Sequence, residues 1–431
     1  MPRLLTAHDY RTLALAALGG ALEFYDFVIY VFLAPVIGRL FFPGDMPDWL
    51  RLLQTFGIFS AGYLARPLGG IVIAHFGDLL GRKRMFTLSI FLMAVPTLAI
   101  GLLPTYVSIG IAAPLLLLLM RILQGVAIGG EVPGAWVFVA EHVPEPRFGL
   151  GIGTLTAGLT TGILIGSLMA GAINSFFGPA EVTAFAWRLP FIAGGAFGLV
   201  SVYLRRFLEE TPVFQEMKAR RTLAREVPIR TVLREHLPET LLSLALTWVL
   251  TAAIVVVILF TPTYLQQVFH VPAHYAIQAN TGATIAFILG CLIFGWISDR
   301  AGTRATMIAG FGGLLASSYL FYSWLPDAPV FLNLTYALTG FFVGSVTTVP
   351  IVALRLFPAP VRFSGLSFSY NVSYAIFGGL TPVFLSLWLR TNSMAPACYV
   401  GGLSILGIVL ALATRSDSYK TWTANSATLQ P

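Results

Sequence analysis

The chain alternates long apolar runs with short polar loops. Twelve runs have roughly 20 residues or more, the length at which an α-helix crosses the hydrocarbon core of a bilayer. A helix satisfies its own backbone hydrogen bonds in lipid, and these runs are too long and continuous for the alternating strands of a membrane barrel. We therefore predict an all-α integral membrane protein with twelve transmembrane helices. The predicted spans are Leu13–Leu40, Leu52–Phe76, Met85–Leu103, Ala112–Ala140, Leu150–Phe176, Trp187–Phe207, Thr240–Val268, Tyr275–Ile297, Thr306–Trp324, Val330–Phe357, Phe363–Leu389 and Ala395–Thr414.

Composition and charge support the same class of protein. Charged residues make up only 10% of the 431 positions, whereas soluble domains carry about 25%. The net charge of +7 does not indicate nucleic-acid binding, because the basic residues are spread over many short loops. If both termini are cytoplasmic, 20 of the 26 Lys and Arg residues fall on the cytoplasmic side, four on the outer side and two inside spans. This bias predicts a multi-pass protein of the cell inner membrane with both termini cytoplasmic.

A polar stretch near the middle of the chain separates six predicted spans from six others. We predict a six-helix bundle over residues 1–207, a cytoplasmic linker over 208–239, a second bundle over 240–414 and a cytoplasmic tail over 415–431. Asp78 and Asp299 each begin an Asp-x-x-Gly motif followed by a basic residue, and they lie about half a chain length apart. A duplicated unit explains this spacing. We therefore expect two six-helix bundles related by pseudo-twofold symmetry, as in many transporters.

Sequence features of enzymes and metalloproteins are not evident. Cys291 and Cys398 both fall within apolar runs, and the spacing of the histidines does not suit a metal. The sequence contains no phosphate-binding glycine loop and no nucleophile triad. We therefore predict no metal, no cofactor and no enzymatic activity, and we expect an ion gradient to supply the energy.

Several short motifs resemble those of one family. The loop from Gly77 to Arg84 is similar to the loop between helices 2 and 3 of the major facilitator superfamily. Other stretches, from the first span to the eleventh, resemble the metabolite:proton symporter family within that superfamily. They are Glu23-Phe24-Tyr25-Asp26-Phe27, Ala65-Arg66-Pro67-Leu68-Gly69-Gly70, Arg121-Ile122-Leu123-Gln124-Gly125, Gly129-Gly130-Glu131, Trp187-Arg188-Leu189-Pro190-Phe191, Glu210-Thr211-Pro212-Val213-Phe214, Phe357-Pro358, Val361-Arg362, Ser369-Tyr370-Asn371 and Ile376-Phe377-Gly378-Gly379.

The resemblance implies the superfamily's fold and proton symport. Members of the family are permeases for α-ketoglutarate, citrate, shikimate, and proline with betaine, so the substrate stays open. Three positions depart from the family's pattern, namely Pro133, Thr303 and Arg355. We expect Pro133 to kink the fourth span, and Arg355, where glutamate is usual, to put a cytoplasmic salt bridge in question.

Five charged residues lie within predicted spans of the first half: Glu23, Asp26, Arg66, Arg121 and Glu131. Intramembrane charges are costly unless they face protein or water, so they indicate a functional site, and structural ion pairs are the alternative. We predict that Glu23, Asp26 or Glu131 carries the proton, and that Arg121 modulates it or pairs with an anionic substrate. Arg66 is predicted to bind a carboxylate through two donors. The predicted substrate-binding residues are Arg66, Arg121, Trp136, Trp248, Tyr370 and Asn371.

Charged residues at the predicted cytoplasmic helix ends suggest a gate. An aspartate there caps a helix N-terminus and pairs with arginine across the halves. The predicted gate residues are Asp78, Arg82, Asp299 and Arg304. For the basic cluster beginning at Arg82, a role in topology alone is the alternative.

The predicted function is proton-coupled uptake of a small organic acid, such as a di- or tricarboxylate, by alternating access. The two embedded arginines favour an anion. The alternative is a symporter for a zwitterionic osmolyte such as proline or betaine, whose ammonium group favours an aromatic box that Trp136, Phe138 and Trp248 would supply. A non-transporting sensor derived from a transporter is a third hypothesis. We expect the partners to be substrate, protons and the lipid bilayer, and the protein to be a monomer.

Overall fold

The computed structural model describes residues 7–80, 82–205, 228–324 and 331–413. Within these ranges the backbone is nearly all helical and contains no β-strand. Nine helices are long and apolar enough to cross a membrane, and a tenth candidate is the pair Pro179–Ala186 and Arg188–Leu204, bent by 43°. The prediction of an all-α membrane protein is confirmed.

We number the spans 1 to 12 along the chain. Seven have one main helix, and these are Ala7–Phe32 (span 1, continued by Ala34–Phe41), Asp48–Leu80 (span 2), Arg82–Leu102 (span 3), Phe148–Phe176 (span 5), Ala273–Ala301 (span 8), Thr303–Trp324 (span 9) and Ala395–Ala413 (span 12). Short helices at Tyr106–Ile109, Glu145–Arg147 and Pro228–Glu235 connect spans.

The other five spans change helix type or break. They are Ala112–Ile128 and Glu131–Ala140 (span 4); Pro179–Glu181, π-helical Val182–Ala186 and Arg188–Arg205 (span 6); Leu237–Ala252, π-helical Ala253–Phe260 and Thr261–Val268 (span 7); Leu332–Val343, 3₁₀-helical Gly344–Thr347 and Thr348–Leu356 (span 10); and Arg362–Ser373, π-helical Tyr374–Gly378 and Gly379–Trp388 (span 11). Such interruptions of the α-helix are frequent at functional sites.

Spans 3 and 11 are helical as predicted but less apolar than the rest. In span 3 only Thr87–Leu102 forms a short apolar helix, because basic residues occupy its start. Span 11 carries four buried serines and the buried Asn371. Its polarity follows from its position, since these side chains face the protein interior rather than lipid.

The predicted domain boundaries are only partly covered by the described ranges. Residues 206–227, which include most of the predicted linker, and the predicted tail lie outside them. The remainder of the predicted linker is helical, as Pro228–Glu235 and the start of span 7 at Leu237. We call the end of the bundle near Arg205 and Pro228 the linker end, and the opposite end the far end.

The two halves of the chain pack together along spans 5 and 8 and along spans 2 and 11. Spans 5 and 8 approach most closely near the linker end. There an added Cβ at Gly149 would lie 2.5 Å from the Gly295 carbonyl oxygen, and one at Gly153 would lie 2.6 Å from the Cys291 carbonyl oxygen. Small residues let membrane helices approach at this distance, so this glycine seam requires residues without side chains.

Candidate functional site

The five embedded charges of the first half converge in its interior. Glu23, Asp26, Arg66, Arg121 and Glu131 are all buried, with at most 2% of any residue exposed. Spans 1, 2 and 4 supply them, and they form two ion pairs and one further carboxylate.

The pair between Asp26 and Arg121 is fully embedded in a polar network. Arg121 Nη1 donates to Asp26 Oδ2 at 2.6 Å and to Gln124 Oε1 at 2.8 Å. Thr97 donates to the other Asp26 oxygen at 3.2 Å and accepts from Gln124 at 2.8 Å. The guanidinium lies 4.0 Å from the centre of the Tyr30 ring. Because each partner is held by further groups, this pair is suited to fixing spans 1, 3 and 4 together.

The pair between Glu23 and Arg66 is less complete. Arg66 Nη2 lies 2.9 Å from Glu23 Oε1, although the two groups are not aligned for a hydrogen bond. Arg66 Nε donates to Asn371 Oδ1 at 3.3 Å, which ties the pair to the second half. The Tyr374 ring centre is 4.9 Å from the guanidinium carbon and the Tyr63 ring centre is 5.5 Å from it. The aromatic surface that would suit a bound ammonium group is therefore occupied by Arg66 itself.

Glu131 lies beside the Glu23–Arg66 pair. Ser89 on span 3 donates a hydrogen bond of 2.6 Å to Glu131 Oε2. Glu131 is close enough to Glu23 for the two carboxyl groups to interact electrostatically. Two acidic groups thus share the neighbourhood of one arginine.

A helix break explains how span 4 presents polar backbone to the site. Span 4 stops at Ile128 and restarts at Glu131, which leaves Gly129 and Gly130 between the two helices. Pro133 accounts for this break, in agreement with the kink that we expected in span 4, because it has no N–H to donate to the Gly129 carbonyl four residues earlier and its ring crowds that carbonyl. The break frees the Gly129 carbonyl, which accepts a hydrogen bond from Asn371 of the second half.

The predicted aromatic and amide residues separate into two groups. Tyr370 and Asn371 join the Arg66 cluster, and the Trp136 ring packs edge-on against Tyr370 with ring centres 5.1 Å apart. Trp248 lies apart, because its ring stacks on Phe377 and its Nε1 donates to Tyr399, both within the second half. The aromatic box that we expected from Trp136, Phe138 and Trp248 does not form, since Phe138 packs on His142.

Sequence reasoning missed the aromatic residues that surround the arginines. Phe27 and Tyr63 pack with ring centres 4.7 Å apart, and Tyr63 stacks on Tyr374 of the second half at 6.2 Å with the ring planes 6° apart. The only available signal was the helical spacing of Tyr63 and Arg66, which puts them on one face of span 2.

The linker end is closed by contacts between the halves. Asp299 on span 8 accepts hydrogen bonds from the backbone amides of Gly149, at 2.6 Å, and Leu150, at 2.8 Å, at the start of span 5. Glu141 and Arg362 approach to 4.0 Å across the same end.

Arg304, another predicted gate residue, does not join this contact. Arg304 donates to the Leu412 carbonyl within the second half, at 3.3 Å. The side chains of Asp78 and Arg82 lie outside the described part of the structure.

Arg355 and Thr303 are the two other positions that depart from the family's sequence pattern. The Arg355 guanidinium lies over the Phe148 ring of the first half, 5.1 Å from its centre, and the Thr303 hydroxyl accepts a hydrogen bond from Ser298. Arg355 thus makes a cation–π contact across the halves.

A cleft opens toward the far end. It has a volume of about 460 Å³ and is lined by both halves, including Phe59 and Tyr63 from span 2, Phe260 from span 7, and Gly378 and Pro382 from span 11. Tyr63 and Phe59 form the side of the cleft that leads toward the arginines.

Comparison with curated proteins finds relatives along nearly the whole chain. It is 34% identical over 425 residues to a Staphylococcus aureus protein provisionally named a proline/betaine transporter, covering 95% of this chain and 90% of that one. It is 31% identical over 429 residues to the proline/betaine transporter of Salmonella typhimurium, covering 95% and 84%. It is also 31% identical to the glycine betaine/proline/ectoine/pipecolic acid transporter OusA of Dickeya dadantii, covering 95% and 84%.

Solved structures show the same fold. The proton:xylose symporter XylE of E. coli superposes with a TM-score of 0.78 at 14% identity, covering 94% of this chain and 95% of that one. The human organic anion transporter MFSD10 superposes with a TM-score of 0.68 at 16% identity, covering 94% and 100%. The sequence model that describes the Major Facilitator Superfamily matches residues 16–382. The chain therefore belongs to the major facilitator superfamily, whose members are membrane transporters and not enzymes.

Proposed function

We propose that the protein is a proton-coupled symporter that takes up a small zwitterion of the proline and betaine class by alternating access. The names of the curated relatives support this substrate class over the organic acids that we first predicted. The zwitterion was our alternative hypothesis, and it now replaces the organic-acid prediction.

The charge balance of the buried site carries the proposal. The organic-acid prediction relied on Arg66 and Arg121 as uncompensated positive charges. In the structure Arg66 is paired with Glu23 and Arg121 with Asp26. A di- or tricarboxylate would add negative charge to a site whose positive charges are already neutralised, whereas a zwitterion adds no net charge.

Proton coupling rests on the same carboxylates. Uptake of a neutral zwitterion with one proton requires a group that is protonated on one side of the membrane and deprotonated on the other. Glu131 and Asp26 are the proposed proton carriers, and Arg121 is the residue that modulates Asp26.

Orientation and gating form the last part of the proposal. We place the linker end and both termini in the cytoplasm of a cell membrane, because the basic loops lie at that end. In the described structure the halves are joined at the linker end, and the cleft opens at the far end. With the linker end in the cytoplasm, this arrangement corresponds to an outward-facing state. We propose that Asp299 belongs to the inner gate and that the monomer is the transporting unit.

The test is uptake by purified protein in liposomes with an imposed pH gradient, acid outside. We expect labelled proline or betaine to accumulate only with the gradient, and unlabelled citrate or α-ketoglutarate to compete poorly. Glu131→Gln and Asp26→Asn should lose gradient-driven accumulation, while Glu181→Gln, at an exposed position in the first turn of span 6, should keep it. Accumulation of citrate, or uptake of proline that ignores the gradient, would refute the proposal.

A further inference from the structure

The two buried ion pairs differ in how many of their polar atoms are satisfied. Both oxygens of Asp26 and one amino group of Arg121 take part in hydrogen bonds within the network described above. In the Glu23–Arg66 pair, by contrast, the 2.9 Å contact of Arg66 Nη2 with Glu23 Oε1 is the close approach, and Glu23 Oε2 and Arg66 Nη1 have no hydrogen-bond partner among the described residues, whereas in the other pair only Arg121 Nη2 lacks one. Buried polar groups in native proteins are nearly always hydrogen-bonded, so an open pair beside a closed one needs an explanation.

The unsatisfied atoms are complementary to the two ends of a zwitterion. Glu23 offers a negatively charged acceptor, and Arg66 Nη1 offers a positively charged donor. The indole nitrogen of Trp136 is a third buried group without a partner among the described residues. Trp136 and Arg66 both contact the ring of Tyr370, so both donors lie close to that ring.

We infer that a substrate separates the Glu23–Arg66 pair and takes its place. The carboxylate of the substrate accepts from Arg66 Nη1 and Trp136 Nε1, and its cationic nitrogen pairs with the charge of Glu23, to which it also donates a hydrogen bond where it carries an N–H, as in proline. The Asp26–Arg121 pair stays closed during this exchange because Arg121 Nη1 donates to both Asp26 and Gln124, and Gln124 is itself held by Thr97. This inference rests on the proposed function, and it moves Glu23 from the predicted proton carriers to the residues that select the substrate's positive charge.

An aromatic layer separates this pair from the cleft. Tyr63 lines the cleft and lies next to Arg66, and its ring stacks on Tyr374 of the other half. Tyr374 begins the π-helical segment of span 11, a type of helix that is less regular than its neighbours. The substrate therefore reaches Glu23 when the Tyr63–Tyr374 stack parts, which joins substrate entry to movement between the halves.

Selectivity for a cationic nitrogen is the property that this arrangement determines. Proline carries a protonated ring amine that both donates to Glu23 and pairs with its charge. Tetrahydrofuran-2-carboxylate has nearly the same shape and the same carboxylate, but a ring oxygen replaces the amine. The two ligands thus differ in the group that faces Glu23 and agree in the group that faces Arg66.

The experiment measures the binding of both ligands to purified full-length protein by isothermal titration calorimetry. The wild type should bind proline at least ~100-fold more tightly than the oxygen analogue, because a buried charge pair is lost with the latter. Glu23→Gln should reduce this preference to within ~5-fold, mainly by weakening proline binding. The matched control Glu181→Gln, at an exposed carboxylate in the first turn of span 6, should keep the wild-type preference.

Two further variants keep the inference testable if Glu23→Gln does not fold. Glu23→Asp should retain a preference for proline, since the charge remains. Arg66→Lys should weaken the binding of both ligands by a similar factor, because both ligands carry the carboxylate. The ratio of their two dissociation constants should therefore stay unchanged. A folded Glu23→Gln protein that still prefers proline as strongly as the wild type overturns the inference. An Arg66→Lys protein that no longer prefers proline to the oxygen analogue overturns it as well. If the wild type binds neither proline nor betaine, the proposed function itself fails.

Discussion

The carboxylate of Asp299 accepts a hydrogen bond of 2.6 Å from the backbone amide of Gly149, and the two residues belong to opposite halves of the chain. Gly149 lies in the first turn of span 5, where backbone amides have no partner within the helix. An acidic side chain there satisfies the free amides and interacts favourably with the helix dipole. Because the contact joins the two halves at the linker end, we expect it to be lost when that end opens and therefore to stabilise the closed state.

We predict that Asp299→Ala shifts the protein toward a state that is open at the linker end. The loss of such a cap costs about 1–2 kcal/mol, which corresponds to a shift of roughly 5- to 30-fold in the equilibrium. A cavity of about 530 Å³ lies at the linker end and is lined by Asp299 and by the buried Ile351. The measurement is the labelling rate of a cysteine placed at Ile351, in a background lacking Cys291 and Cys398.

Arg304→Ala is the matched control for this gate prediction. Arg304 lines the same cavity, but its hydrogen bond is to Leu412 within its own half. In the Arg304→Ala variant we expect the cysteine at position 351 to be labelled at the same rate as in the parent protein. Equal rates in the Asp299 and Arg304 variants would show that the cap does not hold the linker end closed.

The glycine seam between spans 5 and 8 predicts a steric block of the closed state. A Cβ on Gly295 would lie 2.5 Å from the Gly149 carbonyl oxygen, closer than real contacts allow. Gly295→Val should therefore keep the linker end open and abolish uptake. It should also raise the labelling rate of the cysteine placed at Ile351. Gly312→Val introduces the same side chain where nothing lies within 4 Å, and it should transport normally. Normal uptake by the Gly295 variant would contradict the assignment of this seam to the gate.

The closed network around Asp26 and Arg121 predicts a strong effect on stability. Asp26→Asn leaves a buried arginine without its counter-charge and should lower the free energy of unfolding by about 3–5 kcal/mol. The double variant Asp26→Asn with Arg121→Met should be less destabilised than the sum of the single variants, because no buried charge is left unpaired.

Thermal unfolding in detergent measures these differences, and Asp48, the exposed partner of the half-buried Arg51, supplies the control. That pair is 3.2 Å long, and the Asp48 side chain is 75% exposed. Asp48→Asn should cost less than about 1 kcal/mol. Additive effects of the two buried substitutions would show that Asp26 and Arg121 do not depend on each other.

Two glycines on span 5 predict opposite tolerance to alanine. A Cβ on Gly162 would lie 1.8 Å from the Ala21 carbonyl oxygen of span 1, whereas at Gly171 the nearest atom is 4.0 Å away. Gly162→Ala should destabilise the protein by about 1–3 kcal/mol, since the helices must move apart. Gly171→Ala should be neutral or slightly stabilising. Similar unfolding temperatures for the two variants would mean that spans 1 and 5 can move apart at Gly162 without a loss of stability.

The membrane class and the helical spans were predictable because they depend on local composition. A run of some 20 apolar residues needs lipid around it and a helix to satisfy its backbone, whatever its neighbours are. The boundaries were less accurate, as in span 2, which extends from Asp48 to Leu80 instead of from Leu52 to Phe76. Its ends are set by contacts with other chain segments, which hydropathy does not record.

The candidate site was predictable as a set of residues and not as an arrangement. The cost of intramembrane charge pointed to Glu23, Asp26, Arg66, Arg121 and Glu131. It could not show that each arginine is paired with a carboxylate, and this error led to the organic-acid prediction. Pairing depends on distances between spans that are far apart along the chain.

The sequence by itself determined the membrane environment, the helical class, the family and the residues whose burial requires a reason. The tertiary structure alone decided which carboxylate faces which arginine, that Trp248 lies away from the charged cluster, and that Asp299 contacts a backbone amide rather than a side chain. The physical reason is the different distance over which these interactions act. Hydropathy and helix formation act over about one span of sequence, whereas ion pairs and hydrogen bonds act over about 3 Å between groups that folding brings together.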